Sequence, residues 1–295
     1  MSEKLKISVV GLDTSHSIAY PQLMMDETFD PSKKVEGAVV TGCLRFSTPF
    51  QSEQGLDDRQ AQLEKWGIPV TTDFDKAVEG CDAIMMEIND PAFHLEYFKK
   101  CAETGKPIFV DKPLADNIQN GKEIVEIAKK KNLRIFSASS LRFVPELIGA
   151  SASVPKPNFV SVYGPLGGAP AGSSIVWYGV HAFEMLERAM GIGAADVTTK
   201  LDKGGAVCVV EYADGRRGVV ELNDESYLYG GCLRGEENAV PYTVDLSQAY
   251  IEELKYVLEF FKGAEPAVTA EDALEVMAML DAAERSSKSG KAEKL

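Results

Sequence analysis

Positive charge, histidine and paired cysteines are all scarce in this sequence, and the shortages exclude several classes of function. Lys and Arg number 31 against 45 Asp and Glu, a formal net charge of −14, which disfavours nucleic acids and anionic membranes as partners. The five cysteines are scattered and form no CxxC pair, so they are typical of reduced thiols in a cytoplasmic protein and not of a zinc site. We therefore expect a cytoplasmic protein with no metal site.

Long apolar runs are also missing. No run of 18 apolar residues occurs, and Met1–Lys6 leads into the first apolar segment without the pattern of a signal peptide. We therefore expect no membrane segment. With 295 residues, 45% of them hydrophobic and 26% charged, the chain is long enough for two ordinary globular domains.

Strand-like and helix-like segments alternate from residue 1 to about 140. Short apolar runs such as Lys6–Val10, Ala38–Leu44 and Ala83–Ile88 are followed by amphipathic segments, which predicts an α/β domain with a Rossmann-like, doubly wound parallel sheet. We expect Lys6–Val10 to be central in this sheet. Ligands of such sheets bind at the carboxyl ends of the strands.

The pattern changes after about residue 140, where short strands and hairpin signals such as Asp214-Gly215 replace the alternation. We expect one domain over residues 1–140 and a second, α+β domain over residues 141–295, with an open, mainly antiparallel sheet. The last helix, which begins at a capping box at Thr269, is expected to pack back on the domain junction. An open sheet leaves one face to be covered, which predicts a homo-oligomer, a dimer or a tetramer.

The segment Ile7–Ser17 has the strand–turn–helix pattern of a dinucleotide-binding loop. Of the usual GxGxxG glycines only Gly11 is present, because Asp13 and His16 occupy the other two positions. The alternative is an ordinary helix N-terminus, since Asp13, Thr14 and Ser15 are all good capping residues. If a dinucleotide does bind here, Asp13 either repels its diphosphate or caps the helix, and we expect Asp13→Gly to tighten binding.

The chain has three histidines. His16 lies in the loop just described, and His94 and His181 each lie near the start of a predicted helix. Lys112 directly follows an apolar strand. A neutral imidazole is the natural acid and base for interconverting a hydroxyl and a carbonyl near neutral pH. The alternatives are that His94 and His181 are packing residues and that Lys112 lies on the surface.

Short motifs in a fixed order connect the two halves of the chain. They are Gly67-Ile68-Pro69-Val70, Asn89 to His94, Asp111-Lys112-Pro113, Arg142-Phe143-x-Pro145, Gly179-x-His181 with Glu184, and the ending from Glu265-Pro266 to Gly290. In this order the sequence resembles the glucose–fructose oxidoreductase/inositol dehydrogenase/MocA (Gfo/Idh/MocA) family of NAD(P)-dependent oxidoreductases over nearly the whole chain. The resemblance implies a Rossmann domain, a substrate domain built on an open sheet, and oligomers formed through that sheet.

Residue by residue, the resemblance implies that Lys112 contacts the substrate and the nicotinamide side of the cofactor. It implies that His181 exchanges a proton with the substrate hydroxyl while hydride moves. Trp177 stands where the family has an aspartate that orients this histidine, so we expect Tyr178 or Tyr163 to orient it here. The expected substrate-binding residues are Lys112, Arg142, Tyr163, Tyr178 and His181, and the expected cofactor-binding residues are Gly11, Asp13, Thr14, Ser15, His16, Arg45, Asn89, His94 and Lys112.

Two functions remain open from the sequence. The first is an oxidoreductase that uses NAD or NADP and acts on a sugar, a polyol or a related hydroxylated small molecule. Arg45 follows the second strand, where an arginine suits the 2′-phosphate of NADP better than NAD. The alternative is a redox-inactive protein of the same fold that serves as a sugar-binding or regulatory module, which Asp13, His16 and Trp177 favour.

Overall fold

The first half of the chain alternates strands and helices in the computed structural model, which describes residues 4–295. The strands are β1 (Leu5–Val10), β2 (Ala38–Leu44), β3 (Val70–Thr71), β4 (Ala83–Met86), β5 (Ile108–Asp111) and β6 (Ile135–Ala138). The helices are α1 (His16–Met25), α2 (Glu53–Lys65), α3 (Phe74–Ala77), α4 (His94–Ala102) and α5 (Ile118–Lys131), with 3-10 turns at Pro31–Lys33 and Pro91–Phe93.

The six strands form one sheet in the order β3-β2-β1-β4-β5-β6, and the pairings of β1 with β2 and β4 are parallel. The predicted Rossmann-like sheet with a central first strand is therefore confirmed. Residues 83–86 of β4 and 108–111 of β5 are all buried, as expected for strands covered on both faces. The loops that follow β1, β4 and β5 lie side by side at the carboxyl edge of this sheet.

The second half of the chain contains the remaining elements. The strands are β7 (Phe159–Pro165), β8 (Ala194–Asp202), β9 (Gly205–Tyr212), β10 (Arg217–Asn223), β11 (Gly230–Arg234), β12 (Ala239–Thr243) and β13 (Glu293–Lys294). The helices are α6 (Pro145–Ser153), α7 (Ser174–Trp177), α8 (Val180–Met190), α9 (Ala249–Phe261) and α10 (Ala270–Ser289), with a 3-10 turn at Ser140–Phe143.

A second, seven-stranded sheet has the order β12-β11-β7-β10-β9-β8-β13. Its neighbouring strands pair antiparallel except β7 and β10, which pair parallel. The α+β architecture with a mainly antiparallel sheet is confirmed, as is the hairpin of β9 and β10 around Gly215. The sequence pattern did not predict β8, because exposed polar residues interrupt its apolar positions.

The described chain divides into two compact units. The first consists of residues 4–115, 120–137 and 250–270, and the second of residues 116–119, 138–249 and 271–295. Residues 250–270 therefore join the first unit, where the Phe260 ring meets Phe136 edge-on at 5.6 Å between centroids. Division into domains at residue 140, and the packing of the last helix on their junction, stay predictions. Among the helices of residues 4–295, none has both the length and the apolar character that a membrane crossing requires.

Candidate functional site

The loop after β1 begins with a glycine that no other residue could easily replace. Gly11 has φ +111°, in the left-handed region, and a Cβ added there would lie 2.2 Å from the carbonyl oxygen of Glu87. Glycine is needed both for this backbone conformation and for the close approach of the two loops. The one glycine retained from the GxGxxG pattern is therefore explained by the packing of β1 against β4.

Asp13 neither caps α1 nor points freely into solvent. Its side chain is buried, and its Oδ1 accepts a hydrogen bond from the backbone N of Asn89 at 2.8 Å. Its Oδ2 accepts from the hydroxyl of Thr48 at 2.7 Å and from the backbone N of Asp90 at 3.2 Å. The carboxylate thus joins the loops that follow β1, β2 and β4, and the capping role considered from the sequence is wrong for this residue.

The N-terminus of α1 remains without a side-chain cap from its N-cap residue. Ser15 is exposed and makes no capping hydrogen bond, and its backbone is helical. The hydroxyl of Thr14 accepts a hydrogen bond from the backbone N of His16 at 3.3 Å. A helix N-terminus of this kind, directly after a parallel strand, presents amide donors and a partial positive charge that favour an anion.

His16 points into the protein, toward the ends of β4 and β5. Its Nδ1 lies 2.9 Å from Oδ2 of Asp111 and 3.8 Å from Oε2 of Glu87. Burial opposes ionisation of Asp111, but the charges of His16 and Lys112 outweigh it and lower the pKa of this carboxyl to about 2. Burial, reinforced by the charges of Asp111 and Glu253, raises the pKa of Glu87 well above its ordinary value. We call His16, Glu87 and Asp111 the strand-end cluster.

Lys112 follows the strand-end cluster directly. Its side chain is buried, its backbone N donates to Oδ1 of Asp111 at 2.8 Å, and its ammonium favours the charged forms of both Asp111 and Glu87. The alternative of a surface lysine is therefore wrong, because Lys112 is only 4% exposed.

Arg45 lies after β2, where its guanidinium contacts acidic residues of α2. Its Nη1 lies 2.6 Å from Oδ1 of Asp57, and its Nη2 lies 3.1 Å from Oε2 of Glu53. Nη1 also donates to the side-chain oxygen of Gln60 at 2.8 Å. Arg45, Glu53 and Gln60 line a cavity of about 530 Å³ together with Phe46 and Ser47. The charge that suggested a 2′-phosphate site is already neutralised by two carboxylates.

Asn89 and His94 follow β4. The side-chain amide of Asn89 donates to the backbone oxygen of Asp13 at 3.3 Å. His94 is fully buried, with Nε2 at 2.8 Å from the carbonyl oxygen of Ile88 and Nδ1 at 3.3 Å from that of Leu114. Both ring nitrogens of His94 face backbone carbonyls, the arrangement of a packing histidine.

A second group of polar residues lies in the other unit, at the start of α8. Nδ1 of His181 lies 2.6 Å from the hydroxyl oxygen of Ser139. The same hydroxyl accepts a hydrogen bond from the backbone N of Leu141 at 3.2 Å, which fixes the side chain at the beginning of the 3-10 turn. Ser139 therefore occupies the orienting position for which the sequence suggested Tyr178 or Tyr163.

The tyrosines surround the histidine in a different way. The Tyr178 ring meets the His181 ring edge-on at 5.2 Å between centroids, and the Tyr229 ring does so at 5.9 Å. The side chains of Tyr178 and Tyr229 hydrogen-bond to each other. Tyr163 lies on β7 directly opposite Gly230 of β11. Tyr178 and Tyr229 thus form two aromatic walls of the imidazole pocket.

Arg142, expected to contact substrate, makes buried ion pairs with two residues of α8. Its Nη1 lies 2.9 Å from Oε2 of Glu184, and its Nη2 contacts Glu187. Burial raises the pKa of Glu184 to about 7, although the charge of Arg142 opposes this rise. The ion pairs attach the turn that carries Ser139 to the helix that carries His181, so Arg142 positions the pair instead of facing a ligand.

Sequence reasoning missed Ser139, Glu87 and Glu184 in these roles. Ser139 carried no motif, and Glu87 was only an anomaly in an otherwise apolar strand. A charged residue at the end of a buried parallel strand was nevertheless a usable signal, because such a residue is rarely buried without a partner.

Comparisons with known proteins agree with the fold of this chain. Residues 52–139 match the family described as "Oxidoreductase family, NAD-binding Rossmann fold", GFO_IDH_MocA. YceM of Salmonella typhimurium is 29% identical over 82 residues, which are 28% of this chain and 26% of that relative. The match thus spans about a quarter of the length of this curated relative.

Solved structures match over the whole fold. Myo-inositol dehydrogenase from Lactobacillus casei, in complex with NAD(H) and myo-inositol, has a TM-score of 0.81 at 15% identity, over 99% of this chain and 97% of its own. GenD2 from gentamicin A biosynthesis, in complex with NAD, has a TM-score of 0.81 at 18% identity, over 100% of this chain and 98% of its own. At these identities the likeness shows the fold. The chain resembles the Gfo/Idh/MocA oxidoreductases in fold and in the matched segment.

Proposed function

We propose that this protein is an NAD(H)-dependent oxidoreductase that interconverts a hydroxyl and a carbonyl on a sugar, polyol or related small molecule. The observation that carries the proposal is the start of α1 behind Gly11, at the carboxyl edge of a six-stranded parallel sheet. Such a site combines the partial positive charge of a helix N-terminus with a close backbone approach, which is what a diphosphate requires.

The residues present fit a dinucleotide at this position. Asp13, the residue that threatened to repel a diphosphate, directs its carboxylate to donors of the β2 and β4 loops. The amides at the start of α1 and the hydroxyls of Thr14 and Ser15 would hold the diphosphate. A bound nicotinamide would accept or supply hydride, and the protein would supply position and proton transfer.

The contacts of Arg45 favour NAD over NADP. A 2′-phosphate at this position would meet the carboxylates of Glu53 and Asp57, both already paired with Arg45. Like charges at this distance repel, and the guanidinium has donors committed elsewhere. The hydroxyls of an unphosphorylated ribose can instead donate to a carboxylate.

For the reaction we assign Lys112 and His181. Lys112 would bind and polarise the reacting oxygen, and His181 would take the hydroxyl proton during oxidation and return it during reduction. The hydrogen bond between Ser139 and Nδ1 supports this role of His181, because it fixes the ring orientation. His94 and Arg142 are left out of the site, since their polar atoms bond within the fold.

A redox-inactive binding module is the second candidate, and His16 favours it. This residue replaces the third glycine of the usual loop, and its ring is fixed against Asp111. Calorimetric titration of the purified protein with NAD, NADH, NADP and NADPH separates the two functions. We expect binding of NAD or NADH with weaker binding of the phosphorylated pair. Absence of binding by all four would overturn the oxidoreductase and leave the module.

Catalysis is tested after binding. Polyols and sugars are screened for reduction of NAD, and Lys112→Ala and His181→Ala are expected to lower turnover about 10²–10⁴-fold on any substrate found. Lys130→Ala is the matched control, because Lys130 is an exposed helix residue paired with Glu126. Turnover unchanged in either site variant would refute the assignment of that residue.

We also propose a homo-oligomer built on the seven-stranded sheet and a cytoplasmic location. Exposed apolar side chains on or beside this sheet support the association, namely Leu201, Val207, Tyr227 and Leu228. Light scattering at micromolar concentration tests it, and a strictly monomeric species would contradict it.

A further inference from the structure

The strand-end cluster brings three metal-ligating side chains to adjacent positions on the parallel sheet. His16 begins α1 just beyond β1, Glu87 directly follows β4, and Asp111 ends β5, and these strands are neighbours in the order β1-β4-β5. All three residues are buried, and one potential ligand atom from each lies within 4.8 Å of the others. The loop geometry is held by Gly11 and by the hydrogen bonds of Asp13, independently of the cluster.

The distances within the cluster suit a common cation. Nδ1 of His16 lies 2.9 Å from Oδ2 of Asp111 and 3.8 Å from Oε2 of Glu87. Nitrogen and oxygen ligands lie about 2.1 Å from a zinc ion, so two such ligands are about 3–4 Å apart at ordinary coordination angles. The ligand atoms of Glu87 and Asp111 lie within 4.8 Å of each other, so an approach of these two carboxylates toward a common ion completes the set.

Glu87 is the observation that points to a ligand. Its side chain is fully buried, and neither carboxylate oxygen accepts a hydrogen bond from any residue between 4 and 295. Buried carboxylates in proteins are almost always paired, hydrogen-bonded or bound to a metal. Glu87 is directed at His16 but at 3.8 Å makes no hydrogen bond with it.

We propose that His16, Glu87 and Asp111 bind one divalent transition-metal ion, with Zn²⁺ the best match. One imidazole and two carboxylates suit zinc, whereas Mg²⁺ prefers six oxygens and retains several waters. The edge-on rings of Tyr20 and Tyr250, at 5.6 Å and 4.9 Å from His16, hold the imidazole in place. The ion would tie the start of α1 to the ends of β4 and β5, and this role does not depend on the proposed oxidoreductase activity.

The test uses the full chain, stripped with EDTA and titrated with Zn²⁺, Mn²⁺ or Mg²⁺ under calorimetry and thermal unfolding. We expect one Zn²⁺ per chain, a higher melting temperature with Zn²⁺, and little response to Mg²⁺. Glu87→Gln should weaken Zn²⁺ binding at least about tenfold. In EDTA the same variant should be no less stable than wild type, because it removes an unpartnered buried carboxylate.

Asp111→Asn is the second ligand variant and keeps the test decisive if Glu87→Gln does not fold. Glu126→Gln is the control for adventitious binding to an acidic surface, since Glu126 is exposed on α5. Loss of the Zn²⁺ response in the ligand variant but not in the control supports the site. No stoichiometric binding by wild type, or equal binding by wild type and ligand variants, overturns it.

Discussion

Glu184 should make this protein less stable as pH rises through neutrality. Burial holds the pKa of this carboxyl at about 7 in the folded chain, against an ordinary value of 4.5. Between these values the folded chain binds more protons than the unfolded chain, so the free energy of unfolding falls as pH increases. Asp111 acts in the opposite direction, but its pKa of about 2 confines its effect to strongly acidic solution.

The size of the effect follows from the shift. The rise of the Glu184 pKa from 4.5 to about 7 contributes about 3 kcal/mol to the free energy of unfolding, at about 1.4 kcal/mol per pKa unit. About 2–3 kcal/mol of this contribution is lost between pH 5 and pH 8. Burial also raises the pKa of Glu87 and Glu187, so the wild-type protein alone does not isolate Glu184. Glu184→Gln does, because glutamine cannot titrate but its carbonyl oxygen can still accept from Arg142.

The assay is thermal unfolding of wild type and Glu184→Gln at pH 5 and pH 8. For a chain of this size class, 1 kcal/mol shifts the melting temperature by about 2–4 °C. The melting temperature of wild type should therefore fall by roughly 4–12 °C more than that of the variant between pH 5 and pH 8. Glu126→Gln, an exposed carboxylate, should follow wild type. Equal losses in wild type and Glu184→Gln would refute the buried-carboxylate reasoning.

Three further predictions follow from other contacts. Asp13→Gly should destabilise the protein by on the order of 3 kcal/mol, because several buried donors lose their acceptor, and it should not tighten NAD binding; a tighter complex in calorimetry would contradict this. The double variant Glu53→Gln/Asp57→Asn removes both ion pairs of the Arg45 guanidinium and should raise the affinity for NADPH relative to that for NADH. An unchanged ratio of the two affinities in calorimetry would argue against the proposed cofactor preference. Ser139→Ala should lower kcat about fivefold and shift the pH–rate profile with any substrate found. Ser139→Thr keeps the hydroxyl and should retain the wild-type profile. Identical profiles for Ser139→Ala and wild type would show that Ser139 does not position His181.

The architecture of the first sheet could be predicted because its strands are short, apolar and separated by helical segments. The strand–turn–helix pattern also indicated Gly11, whose backbone conformation the fold requires, whereas the roles of Lys112 and His181 stay predictions. Hydrophobic periodicity and the position of a glycine are properties of a short segment. Neighbouring residues alone were therefore sufficient to predict the strands and the glycine of the loop.

The partners of the polar residues could not be predicted, because they come from distant parts of the chain. Asp13 was expected at the helix start but bonds to Thr48 and Asn89, 35 and 76 residues away. Arg142 was expected to face substrate but pairs with Glu184, 42 residues away. A charged side chain takes whatever donor or acceptor the fold presents, and sequence spacing alone does not specify it.

The discontinuity of the first unit has a consequence for synthesis. Its parallel sheet is encoded early, but residues 250–270, which supply Phe260 beside Phe136 and Glu253 beside Tyr20, emerge from the ribosome only after residues 138–249. At about 5–20 residues per second, this interval is on the order of ten seconds. During that time the nascent sheet exposes the apolar surface that α9 later covers. Chaperone dependence during translation is therefore expected to be greatest while this middle segment is being made.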